Sequence, residues 1–352
     1  MKKNSELTLR EMFGQPDSFA AINETLDEII ATVKTVFSEH WDELVFTGCG
    51  TSLYLAQTAA AAFTACCGIP AKGMPCSELY FFPESFAGHG RKVLVLPITR
   101  KSYTTEVRMA IDRIREVEGV KTLSITCDPD SAKYNDYMIL SPRTAEDSVI
   151  MTRSFTSMVY LATILALVAG GREEQVYSMA KGYPQMAERM LTDTQEVAHR
   201  ILQEHPNINL FITLGHGVNY GVANECMNKM KEMGIANSEA YYSLEYRHGP
   251  MSLVDENTLI IMLANDATTE YDNKLLEQMK GFGATVLAIG EDAKTRFACS
   301  DYTISFADGR STLEYAAVIG FIGQFLGLEI AAAKNIDADA PRHLTQAIVL
   351  EK

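Results

Sequence analysis

Short apolar runs alternate with longer amphipathic stretches along this chain, and the alternation occurs twice. Glu43-Leu-Val-Phe-Thr-Gly-Cys-Gly-Thr-Ser52 predicts a short strand, a Gly-x-Gly turn and a helix. Leu210-Phe-Ile-Thr-Leu-Gly-His-Gly-Val-Asn219 repeats that shape, with Gly48/Gly50 answered by Gly215/Gly217. Further strands are expected at Val93–Leu96, Thr122–Ile125 and Tyr137–Leu140, matched by Leu259–Leu263, Thr285–Ile289 and Tyr302–Ser305. Helices are expected near Asp17–Trp41, Phe155–Ala169, Asn219–Met233, Met186–His205 and Leu313–Ala333. The runs are short and almost wholly apolar, as in parallel strands covered by helices on both faces. A repeat of this length is a duplicated α/β domain rather than a solenoid unit. Gly170-Gly171 and the polar residues after them read as the linker, which gives domains 1–182 and 183–352. A tail, Lys334–Lys352, closes the chain.

Composition narrows the function classes. With 352 residues there is room for two domains, each with its own core. A net charge of −14 argues against nucleic acid, which needs basic surface. It leaves room for a small anion in a locally positive pocket. No signal peptide is read, and no apolar run approaches about 18 residues, so no membrane span is expected. The seven cysteines are odd in number and lack metal spacing, which fits a reduced cytoplasm.

The Gly-x-Gly turns are weak signals alone: neither is a full G-x-G-x-x-G, and no acidic residue ends a second strand to hold a ribose. The first turn is followed by Thr51 and Ser52, two hydroxyls at a helix N-terminus, where anions bind. A second hydroxyl-rich loop, Ile98-Thr-Arg-Lys-Ser-Tyr-Thr-Thr-Glu106, should open another helix at the same edge of the sheet. Thr51, Ser52, Thr99, Arg100, Lys101, Ser102 and Thr104 together form a candidate anion pocket; the plainer reading is polar helix caps. The matching loop of the second half, Asn265-Asp-Ala-Thr-Thr-Glu270, carries acid instead, so the anion site is expected in the first half only.

The second half has its own constellation. Glu225, Lys229 and Glu232 fall within roughly 60° on one helix face. The default reading of Glu225 and Lys229 is an i,i+4 ion pair on a solvated face. Beyond them, Glu245-Tyr-Arg-His-Gly-Pro250 sets His248 in a turn, where a side chain is presented rather than packed. A glutamate and a histidine near a sugar suit proton shuttling.

These motifs resemble the sugar isomerase (SIS) domain family, in particular its double-domain members: the isomerase half of glucosamine-6-phosphate synthase, tagatose-6-phosphate aldose/ketose isomerases, and related deaminases and deglycases. The resemblance is carried by Cys49-Gly-Thr-Ser52, Thr99–Glu106, Glu146 through Val149 to Phe155-Thr156, Glu225–Glu232 and, most specifically, Ser238-Glu-Ala-Tyr-Tyr-Ser-Leu-Glu-Tyr-Arg-His-Gly-Pro250. It implies two tandem α/β domains, each a five-stranded parallel sheet flanked by helices. It implies a sugar phosphate held by Cys49, Gly50, Thr51, Ser52, Thr99 and Thr104, with Val149 and Arg342 also at the site. Glu232 matches the family's enolisation base, with Lys229 one turn before it. His248 matches the histidine that assists ring opening, which in the synthase comes from the neighbouring subunit.

Two positions depart from the family. Lys101-Ser102-Tyr103 replaces a small residue followed by Gly-Glu, adding a cation and a phenol to the anion loop. Gln346 stands where synthase-like members have an imine-forming lysine. No glutaminase segment is read, so the chain is not expected to release ammonia from glutamine. The expected activity is aldose–ketose proton transfer at C1–C2 of a sugar or amino-sugar 6-phosphate. Amino-sugar deaminase, fructosamine-6-phosphate deglycase and a non-catalytic sugar-phosphate sensor remain as alternatives. No metal or other cofactor is expected, and the resemblance implies a homodimer or larger homo-oligomer.

Overall fold

A computed structural model describes residues 5–350. The strands are β1 (Glu43–Gly48), β2 (Ala71–Pro75), β3 (Val93–Thr99), β4 (Val120–Thr126), β5 (Tyr137–Leu140), β6 (Leu210–Gly215), β7 (Asn237–Tyr241), β8 (Thr258–Leu263), β9 (Thr285–Glu291) and β10 (Tyr302–Phe306). They form two five-stranded sheets, ordered β2-β1-β3-β4-β5 and β10-β9-β8-β6-β7. Both sheets are parallel throughout, and read from the same end they have the same strand order. The expected duplicated, five-stranded α/β architecture is therefore present.

Two strands, β2 and β7, escape the hydrophobic pattern. Ala-Lys-Gly-Met-Pro and Asn-Ser-Glu-Ala-Tyr lack apolar character because both are edge strands, half-buried and paired on one side only. An edge also accommodates Pro75, which has no ladder N–H to give. The central strands β3 and β8 are buried along their whole length.

The expected leader helix over Asp17–Trp41 is two helices, Gln15–Asn23 and Leu26–Val36, with a further helix, Glu6–Phe13, before them. Pro16 lies in the first turn of the Gln15–Asn23 helix, a position that suits its missing N–H. Trp41 lies beyond the Leu26–Val36 helix, buried, with its indole N–H donating to the Val36 carbonyl at 3.0 Å. The polar stretch after Gly170-Gly171 is not an open linker but the helix Glu173–Ala180.

The chain folds into two compact units built from discontinuous segments. One holds the first sheet, with residues 14–147 and 151–184 and the tail from Thr345. The other holds the second sheet, with residues 5–13, Ser148–Ile150 and Gln185–Leu344. In the latter, Asp339 accepts from the amides of Leu7 (2.9 Å) and Thr8 (2.8 Å), satisfying free N–H groups of the first helix.

One apolar stretch is longer than the sequence pattern suggested. Thr312–Ala333 reaches 22 residues with a mean hydropathy of 1.8, long and apolar enough to cross a membrane. Most of it is buried in the protein, as two helices, Thr312–Ile319 and Phe321–Ala333. The second packs on the Val218–Gly234 helix at close range. A Cβ on Gly323 would lie 2.4 Å from Cys226 Cα, and one on Gly327 would lie 2.9 Å from the Lys229 carbonyl oxygen.

That contact predicts opposite outcomes for two glycine-to-alanine changes. Gly323→Ala should lower unfolding stability by about 1–3 kcal/mol through overpacking. Gly281→Ala, in the Thr269–Gly281 helix with nothing within 4 Å of the added methyl, should raise it by about 0.4–1 kcal/mol. Urea denaturation followed by circular dichroism measures both.

Candidate active site

In the first sheet the chain order reverses between β1 and β3, and parallel sheets bind ligands at the carboxyl edge of such a reversal. The β1 loop turns through Gly50, whose φ of 55° and ψ of −124° exclude an ordinary side chain. The turn delivers Thr51 and Ser52 to the start of the Thr51–Cys67 helix, both nearly buried. Cys49 is half-buried beside them.

The neighbouring β3 loop is organised around one carbonyl. The Lys101 oxygen accepts from the Thr99 hydroxyl at 2.7 Å and the Thr104 hydroxyl at 3.2 Å. Ser102 donates both its amide (2.9 Å) and its hydroxyl (2.7 Å) to Asp128. Lys101 is half-buried, and Tyr103 points outward at 51% exposure, so the phenol does not fill the crevice. Asp128 comes from the β4 loop, a third element at the same edge, and sequence reasoning missed it. Burial pushes its carboxyl up, but the Ser102 and Asp130 donors prevail and hold it below its usual range. The available signal was Asp-Pro one residue beyond a strand, an aspartate that caps its own turn by accepting from the Asp130 amide at 3.0 Å.

Arg100 turns inward rather than toward a ligand. It donates at 3.2 Å to Glu146, which is fully buried. Glu146 also accepts from the Thr152 amide (2.7 Å) and hydroxyl (3.0 Å) and from the Ser154 amide (3.2 Å) and hydroxyl. The tail crosses this region. Arg100 donates to the Gln346 carbonyl at 3.1 Å, and the Gln346 amide donates to the Asp147 carbonyl at 2.6 Å. The Thr105 amide, first in the Thr105–Ile114 helix, donates to the Ile348 carbonyl at 3.1 Å. One donor of that helix N-terminus is therefore taken by the protein itself.

The second sheet repeats the turn almost degree for degree, with Gly217 at φ 57°, ψ −127°. Here the crevice is stitched shut. Asn219, at the position matching Ser52, donates to the carbonyls of Leu263 (3.2 Å) and Ala264 (2.9 Å). Asn265 donates to the His216 carbonyl at 3.4 Å.

The Val218–Gly234 helix carries the acid–base cluster. Lys229 is 1% exposed and lies 3.3 Å from Glu225, itself 2% exposed. The default of a solvated ion pair is thus overturned, because the close helix at Gly323 and Gly327 covers this face. Lys229 also donates to Glu232, which is 23% exposed and accepts a second bond from Asn228 at 2.9 Å. Burial disfavours charge on Lys229, but the two carboxylates outweigh it and hold the ammonium pKa above its ordinary value. His248 is exposed between the Glu245–Arg247 and Pro250–Leu253 turns, and Arg342 is exposed in the same compact unit. Among the described residues neither makes a side-chain hydrogen bond to Glu232. Val149 is half-buried and belongs to that unit too.

A family model for the SIS domain matches residues 39–168 and again 207–333, one match over each sheet. This chain belongs to the SIS domain family. A glutamine–fructose-6-phosphate aminotransferase [isomerizing] from Sulfurisphaera tokodaii is 27% identical over 342 residues, covering 95% of this chain and 55% of that protein. The chain thus spans about half the length of the curated relatives it matches. The crystal structure of a glucosamine-6-phosphate deaminase from Thermotoga maritima is 28% identical, with a TM-score of 0.79 over 98% of this chain and 100% of that one. The tagatose-6-phosphate ketose/aldose isomerase of Escherichia coli shares the fold, with a TM-score of 0.77 at 21% identity over 94% of each chain. Within this chain the two SIS copies have diverged: one keeps hydroxyls at its crevice, and the other closes the crevice with asparagine and carries the Glu225–Lys229–Glu232 cluster.

Lys229→Met should leave the buried Glu225 without its cation and cost about 3–5 kcal/mol at pH 7. The folded-state pKa of Lys229 lies above its unfolded value near 10.4. Its contribution is therefore full below that value and is lost as pH rises through the folded pKa. The gap in unfolding free energy between wild type and Lys229→Met should stay constant from pH 7 to about pH 10 and narrow above it.

Proposed function

We propose that this chain is an enzyme that moves a proton between C1 and C2 of a sugar 6-phosphate or amino-sugar 6-phosphate, with Glu232 as the base. One observation carries this reading. Glu232 is a partly exposed carboxylate fixed by two donors, Lys229 and Asn228, and one of them is a buried cation. A general base needs such a defined orientation with room to meet its substrate. His248 assists ring opening, and the first domain (1–182) anchors the phosphate through Thr51, Ser52 and Lys101. The second domain (183–352) performs the chemistry. Thr99, Ser102, Thr104 and Arg100 then shape the anchor, given that their hydrogen bonds lie within the protein.

The kinship to an aminotransferase, a deaminase and an isomerase, each named for a phosphorylated sugar, supports this substrate class. The 28% identity to the deaminase over the full chain favours a second reading, release of ammonia from an amino-sugar 6-phosphate. Gln346 cannot form an imine, so neither reading routes chemistry through it. We further place the protein in the cytoplasm as a homodimer, without nucleic-acid or membrane partners; the charge of −14 supports the absence of nucleic acid.

The test is incubation with sugar, amino-sugar and fructosamine 6-phosphates in deuterated water, with NMR for exchange at C2 and assays for ammonia and amine. Glu232→Gln should lower turnover about 10²–10⁴-fold with substrate affinity retained. Near wild-type exchange by that variant would remove Glu232 as the base, and binding of every candidate without turnover would make the protein a sensor. Thr51→Val should cost about 1.5–3 kcal/mol in affinity for the phosphorylated substrate by removing a bond to a charged oxygen. If His248 serves a neighbouring chain, mixed dimers of Glu232→Gln and His248→Ala should regain part of the activity. Mixed dimers without activity would confine the two residues to one chain.

A further inference from the structure

The two Gly-x-Gly turns differ at their middle residue, Cys49 in one and His216 in the other. Pairing of β1 with β2 ends with Gly48 opposite Pro75, so Cys49 and Cys76 each follow the last pair of the ladder, Cys76 as the first residue of the Cys76–Phe81 helix. Neighbouring strands lie about 4.8 Å apart, inside the roughly 4.4–6.8 Å Cα separation that a disulfide spans. The side chains share a face. Thr47, two residues before Cys49, donates its hydroxyl to Cys76 Sγ at 3.4 Å. Cys49 packs on the apolar cluster that contains Val45 and Cys76. Cys76 is wholly buried, whereas Cys49 is half-buried. In the second sheet the same register sets His216 opposite Ser243, so the dithiol belongs to the first copy alone.

We propose that Cys49 and Cys76 form an oxidisable pair, a modification site that closes to a disulfide across the head of the anion loop. The oxidant is a small organic disulfide, RSSR. Cys49, the more exposed of the two, loses its proton to solvent and attacks one of its sulfurs, forming a mixed disulfide and releasing RS⁻. Cys76 loses its proton and attacks the Cys49 sulfur, which releases the second RS⁻. Two electrons pass from the dithiol to RSSR, and protonation yields two thiols. The neighbouring Cys76, burial and the Glu106 carboxylate together hold the Cys49 thiol above its ordinary range; a neutral disulfide carries no such conflict. Cys49 sits one residue from Gly50 and two from Thr51, so the new bond fixes the turn that presents the hydroxyls. This last effect rests on reading the turn as the anion site.

The experiment treats the full chain with oxidised glutathione, alkylates the remaining thiols and maps peptides by mass spectrometry. The expected product is a Cys49–Cys76 disulfide that dithiothreitol reverses. Cys76→Ala, and Cys76→Ser should the first not fold, should instead retain glutathione on Cys49. Cys66→Ala with Cys67→Ala should oxidise like wild type. Alkylation of both Cys49 and Cys76 after treatment, or linkage of either to another cysteine, overturns the proposal. Inorganic phosphate is then titrated against both forms, with an expected fivefold or greater loss of affinity on oxidation. A disulfide without that loss overturns the coupling to the anion loop. Absence of phosphate binding by the reduced protein counts against the anion reading and leaves the mapped disulfide standing.

Discussion

The candidate chemistry depends on how closely a neighbouring backbone approaches the helix that follows the first strand of each sheet. In the second sheet, Gly323 and Gly327 let one helix lie against another with backbone in near contact. In the first, Gly73 does the same between β2 and the Thr51–Cys67 helix, where a Cβ would sit 2.6 Å from the Gln57 nitrogen. Such packing gains dispersion contacts and excludes water from the covered face. That exclusion is what makes Lys229 a buried cation. It is sustained only by carboxylates on both sides, because an unpaired buried charge costs more than its surroundings can return.

The same logic operates at the first crevice. Arg100 and Glu146 neutralise one another out of contact with solvent, and five donors converge on that one carboxylate. Asp128 holds the amide and hydroxyl of Ser102. Glu146 and Asp128 are thus engaged by donors of the protein itself, while Lys101 stays partly exposed. The loop is shaped from behind by charges that do not face the opening.

The fold was legible because central parallel strands must be apolar on both faces. The glycine turns were legible because only glycine tolerates the conformations of Gly50 and Gly217. The edge strands β2 and β7 were not, since pairing on one side and partial exposure relax their composition. Glu225, Lys229 and Glu232 were readable as one helix face, but the burial of Glu225 and Lys229 was not. It comes from a helix about a hundred residues later, and periodicity within one helix carries no information about its partner. Arg100 looked like an anion ligand because residue type is visible in sequence and side-chain direction is not. Asp128 was passed over because its role arises from the adjacency of β3 and β4.

The closed crevice of the second sheet has a consequence for occupancy. Duplication produces two openings of nearly identical backbone shape, so a small anion would divide itself between them. In the second opening, the amide of Asn219 already holds two carbonyls and Asn265 a third. An intruding ligand would have to displace hydrogen bonds worth about 0.5–1.5 kcal/mol each. It would meet exposed carbonyl oxygens rather than donors. The asparagines thus occupy with their own amides the edge that hydroxyls line in the first copy, so duplication of the backbone has not duplicated its chemistry.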